Sequence, residues 1–171
     1  MENIELANPE IGEAVLLKMI LSRKYDSIIE KTYRIDEMYW DIEKEGMNSY
    51  LLKNIVELIS ELYKELSVLF NAEEEIIFFE MDNVVPGQSS VTAIRNENAN
   101  ILVMFKTLRN TLDCKDDIRK DKDLLQVEMI SAADLIQRNV YKKENIFLNE
   151  LSMLLPEEKL ATIVQKMKLT M

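Results

Sequence analysis

The chain has 171 residues, 47% hydrophobic and 30% charged, with 3 Gly and 3 Pro. One domain spanning 1–171 can bury a real core at that length, and so little Gly and Pro disfavours the many turns of an all-β fold. Thirty-one acidic against 21 basic residues give a net charge of −10, which excludes nucleic-acid recognition through phosphates.

Four long segments repeat with helical period. The first opens at Asn8-Pro9, an N-cap and first helical residue. Its stripe is Ala14, Leu17, Leu21, Tyr25, Ile28, Thr32, Ile35 and Tyr39, and it stops near Glu45-Gly46. The second is capped by Asn48 or Ser49. It runs through Leu51, Ile55, Leu58, Leu62, Leu66, Phe70, Glu74, Ile77 and Met81 to the break at Val85-Pro86-Gly87. The third starts at Ser89-Ser90 with Val91, Ile94, Asn98, Ile101, Phe105, Leu108 and Leu112. A charged stretch from Asp113 to Asp123 follows as a loop or frayed helix start. The fourth carries Leu125, Met129, Ala132, Ile136, Asn139, Lys143, Phe147 and Leu151, and Leu155-Pro156 opens a short fifth helix. Connections this short predict an all-α chain, an antiparallel up-down four-helix bundle with a short fifth helix at its C-terminus.

No apolar run approaches the roughly 20 residues of a membrane span. Met1-Glu2-Asn3-Ile4-Glu5 lacks the basic and apolar regions of a signal peptide. A single Cys, Cys114, permits no internal disulfide. The expectation is a cytoplasmic protein with no membrane partner. The chain contains no histidine, so imidazole acid–base chemistry, Ser-His-Asp triads, the usual catalytic zinc sites and His-ligated haem are all excluded.

Polar residues interrupt the stripes at Glu74, Asn98, Asn139 and Lys143, with Tyr25 as a half-polar fifth. A buried amide or charge without a partner is costly, so these side chains either cluster or line a polar cavity. Glu74 lies seven residues before Met81, and Asn98 seven after Val91. Asn139 is fourteen after Leu125, and Asn98 fourteen before Leu112. Antiparallel neighbours put Glu74, Asn98 and Asn139 at one height. Glu73-Glu74-Glu75 otherwise reads as a solvated face, and Met38-Tyr39-Trp40 as core packing or an exposed anchor for a partner.

Phe70-Asn71-Ala72-Glu73-Glu74-Glu75-Ile76-Ile77-Phe78-Phe79 resembles the segment H-x-x-K-E-E-x-x-L-F of the hemerythrin-like (HHE) cation-binding family. Arg95-Asn96-Glu97-Asn98 is similar to its R-x-E-H. Asn139-Val140-Tyr141-Lys142-Lys143 is similar to the start of its H-x-x-K-E segment, and Leu155-Pro156-Glu157-Glu158-Lys159 matches its tail. Arg23-Lys24-Tyr25 takes the place of the family's first E-H pair. The fourth helix aligns in two registers. One sets Asn139 and Lys143 on the family's His and Glu; the other sets Val140 and Glu144 there.

The resemblance implies a bundle that holds two irons with histidines and carboxylates. The corresponding positions here are Tyr25, Phe70, Glu74, Asn98, Asn139 and Lys143, and only Glu74 keeps a ligand type. The expectation is a metal-free bundle in which the Lys143 ammonium, held against Glu74, supplies the charge compensation that metal gives relatives. Such a protein would act through an unidentified protein or small-molecule partner, with no cofactor. The alternative is a residual metal or oxygen sensor, with iron or manganese bound weakly by Glu74 and Glu144. A third reading is an enzyme using Tyr25 or Lys143 as acid or base.

Overall fold

The computed structural model describes residues 12–113 and 122–170; the expected Asn8-Pro9 start and Cys114 lie outside them. The described chain is all-α, with no strand among the described residues, and falls into five helical rods.

The first rod is α1, Glu13–Glu45. The Glu13 N–H donates to Glu157 Oε1 at 2.8 Å, which sets a carboxylate on the positive end of the helix. Gly46, at φ 74°, ends it, a conformation that glycine adopts without Cβ strain. The buried stripe is Leu17, Leu21, Tyr25, Ile28, Thr32, Ile35, Met38 and Ile42. It leaves the expected path after Ile35, where Met38 is buried and Tyr39 is only partly so. Trp40 is 59% exposed and meets Tyr39 edge to face at 5.4 Å.

The second rod begins as α2, Ser49–Ala72, where the Asn48 side chain accepts the Leu51 N–H at 2.8 Å, a side-chain cap on an orphan donor. It passes without a break through a π-helical turn at Glu73–Phe78 into α3, Phe79–Val84. α4 is Ser89–Asp113. The fourth rod is built the same way: α5, Lys122–Lys142, a π-helical turn at Lys143–Phe147, and α6, Leu148–Leu154. After Leu155-Pro156 comes α7, Glu157–Thr170.

α1 packs against both α2 and α5, α4 packs against the same two, and α7 lies on α1. Their buried apolar side chains form one cluster, from Leu17 and Leu21 through Leu62, Phe105 and Met129 to Met167. Buried Glu80 of α3 anchors the last helix by accepting from Lys159 Nζ at 2.9 Å and Lys166 Nζ at 3.3 Å. Among the described residues no helix is long and apolar enough to cross a membrane.

Candidate functional site

Both π-helical turns begin on a buried charge. Glu73 opens the first and Lys143 the second, and each side chain is 1% exposed. A π turn carries one extra residue round the helix and is rare outside places where the backbone must re-aim a side chain. Here the two turns aim opposite charges at each other. Lys143 Nζ lies 2.6 Å from Glu73 Oε2.

The carboxylate of Glu73 is fully engaged. Tyr25 Oη of α1 donates to Oε1 at 2.9 Å, and Asn98 Nδ2 of α4 donates to Oε2 at 2.9 Å. Four rods therefore converge on one carboxylate. The ammonium also has an aromatic cradle, with the Phe70 ring centroid 4.2 Å away and that of Tyr25 at 5.7 Å. A desolvated cation over ring faces gains electrostatic stabilisation from them.

Burial pushes the Lys143 ammonium below the usual lysine value, with Glu73 chiefly opposing that shift. Tyr25 moves the other way. Burial raises its phenol well above its ordinary value, and the Glu73 charge and hydrogen bond add to the rise. Tyr25 is thereby held as a neutral donor.

Tyr25, Phe70, Asn98 and Lys143 all meet in this cluster, but Glu74 does not. Glu74 is half-exposed and accepts from Arg95 Nε at 2.9–3.0 Å, while Arg95 Nη2 reaches Asp82 at 2.7 Å. The expected Lys143–Glu74 pair is therefore corrected to Lys143–Glu73, and Glu73 does not belong to a solvated acidic face. The reason is geometric: after Phe70 a step of three reaches the core as readily as a step of four, and Glu73, not Glu74, is the residue that turns inward. In the fourth rod Lys143 faces the core, whereas Glu144 is only partly buried.

Asn139 is buried but sits beside the cluster. Its Nδ2 donates to Glu97 Oε2 at 3.3 Å, and Lys142 pairs with Glu97 Oε1. Among the described residues, the amide oxygens of Asn98 and Asn139 find no hydrogen-bond partner. Glu73 and Glu97 are the two residues that the apolar pattern passed over. Glu97 carries no periodic signal, because its neighbour Asn98 holds the stripe.

As a cation site the arrangement is poor. Its single carboxylate already accepts from three donors, one of them positively charged. Phe70 offers no ligand atom, and amides are weak ligands for iron. Among the described residues no three Asp, Glu or Cys side chains converge into a metal-binding group. The residues do not fit a two-iron centre. As acid–base machinery the pair is closed, since neither charge reaches solvent.

Compared with known proteins, the chain matches no family model, and no curated protein matches it.

Proposed function

We propose that this chain is a hemerythrin-like antiparallel four-helix bundle in which a buried lysine has taken the place of the metal. It works as a non-enzymatic binding or regulatory protein. One observation carries the reading: the Lys143 ammonium lies 2.6 Å from a buried carboxylate that also accepts from Tyr25 and Asn98. A positive charge held at mid-bundle by groups from four rods does the electrostatic work of a cation.

The pairings along the helices support the bundle. Lys31 reaches Glu65 and Tyr25 reaches Glu73, so α1 and α2 run in opposite directions. Gln137 reaches Thr32 and Gln126 reaches Glu43, which gives the same relation between α1 and α5. The packing of α4 on α2 and α5 completes the four. The sealed core favours contact through the outer surface over chemistry inside it.

Elemental analysis tests the proposal on protein purified from cells supplemented with iron, manganese and zinc. The expected result is far less than one metal ion per chain. Stoichiometric metal overturns it and favours the carboxylate-ligated sensor, which requires Lys143 to leave Glu73.

A further inference from the structure

A groove of about 620 Å³ opens between α1 and α2, on a surface distinct from the buried ion pair. Its size falls within the roughly 300–1,000 Å³ of small-molecule sites. The floor is apolar, formed by buried Ile28 of α1 and Leu69 of α2, with Val68 47% exposed at its edge.

Its charges are not those of the rest of the molecule. Arg23 and Lys24 project from α1 and Lys64 from α2, all three exposed. None has a carboxylate within ion-pair distance among the described residues. The two acids in the groove, Glu61 and Glu65, are both taken by Lys31, at 3.5 and 2.9 Å. Lys31 is pinned further by Ser27 Oγ at 3.1 Å. The acidic end of the groove is thus compensated from within the protein, while the three remaining cations are not. Among the described residues this is an uncompensated positive site, on a chain of net charge −10, and a local field of that sign selects anions.

The pairs Lys31–Glu65 and Tyr25–Glu73 fix the relative heights of the two helices. Arg23 and Lys24 therefore lie toward Leu69, and Lys64 lies toward Lys31. Two adjacent cations stand at one end of the apolar floor and a third at the other.

We propose that this groove binds an amphiphilic organic anion. Its carboxylate or phosphate head is held by Arg23 and Lys24, its apolar body lies on Ile28, Val68 and Leu69, and Lys64 adds attraction from the far end. An apolar surface supplies affinity, and a few placed charges fix orientation. The inference rests on the outer groove alone, so it stands or falls separately from the Lys143–Glu73 reading.

The test uses the full chain, with 8-anilinonaphthalene-1-sulfonate as a fluorescent anionic probe. Decanoate and decyltrimethylammonium, amphiphiles of equal chain length and opposite charge, serve as competitors. The expected result is saturable binding displaced by decanoate and not by the cationic amphiphile. Arg23→Glu with Lys24→Glu weakens probe and decanoate binding at least about tenfold, and Lys64→Glu weakens it less. Lys106→Glu, on α4 away from the groove, leaves affinity unchanged. Melting curves confirm that each variant is folded, and Arg23→Gln with Lys24→Gln repeats the measurement without charge reversal. Three results overturn the proposal: no saturable binding, equal displacement by both amphiphiles, or the same affinity loss in the Lys106 variant as in the Arg23 and Lys24 variants.

Discussion

Removing Glu73 and Lys143 singly and together tests the core most sharply. Glu73→Leu leaves the Lys143 ammonium, Tyr25 Oη and Asn98 Nδ2 around an apolar side chain. Breaking a buried pair from one side costs about 3–5 kcal/mol, and each abandoned neutral donor costs about 1–3 kcal/mol more. Lys143→Met is milder, because the carboxylate keeps Tyr25 and Asn98, and about 3 kcal/mol is expected. With about 4 kcal/mol for the broken pair and about 3 kcal/mol for the two donors, Glu73→Leu loses about 7 kcal/mol, and the two single losses together come to about 10 kcal/mol. The double variant buries no charge. Replacing a buried pair with apolar groups is often neutral or favourable, so what remains is the cost of two orphaned donors, about 3 kcal/mol. The coupling is thus about 7 kcal/mol, against a typical total stability of about 5–15 kcal/mol. Urea unfolding followed by circular dichroism measures it through the midpoints, provided the slope is unchanged. A double variant at least as stable as Glu73→Leu alone is expected. A double variant as unstable as the sum of the singles refutes the argument.

Glu74→Gln removes only a half-exposed partner of Arg95 and costs less than about 1 kcal/mol; a loss equal to that of Glu73→Gln would exchange the two roles. Tyr25→Phe removes a donor to a charged acceptor and costs about 1.5–3 kcal/mol. It also abolishes a late step in the 295-nm absorbance titration, since the raised Tyr25 value keeps the phenol protonated in the native state. The sign follows from proton counts. Above pH 10 the unfolded tyrosine ionises first, so this contribution to stability is complete below that pH and declines above it. Glu80 titrates in the opposite sense. Hydrogen bonds from Lys159, then Lys166, lower its value below the ordinary 4.5, so its contribution is present above that pH and fades as pH falls through the lowered native value. Glu80→Gln should flatten the acid limb of the stability profile and loosen α7, as measured by amide exchange.

The helices were legible in the sequence because their punctuation is chemical: Asn48 caps, Gly46 stops, and Val85-Pro86-Gly87 breaks. Asn98 and Lys143 were legible as polar residues in otherwise apolar stripes. Glu73 was not, because three adjacent glutamates and a helical period of 3.6 leave two of them equally placed. The π turns did leave a trace. Asn139, Lys143, Phe147 and Leu151 advance in three steps of four, about 1.2 residues more than three α-helical turns require. The extra residue of Lys143–Phe147 absorbs that excess. Nearly all the steps from Leu58 to Met81 are also of four, and the turn at Glu73–Phe78 lies within that span. The outer groove left no such trace, because it depends on which cations find carboxylates across helices, and periodicity carries no information about that.

Under the proposed reading an ammonium stands in for a cation between the rods. Anomalous diffraction from a crystal grown in excess manganese measures this directly. Side-chain density joining Lys143 to Glu73, with no anomalous peak beside that carboxylate, is the predicted result. A manganese peak on Glu73 with Lys143 turned aside would contradict it.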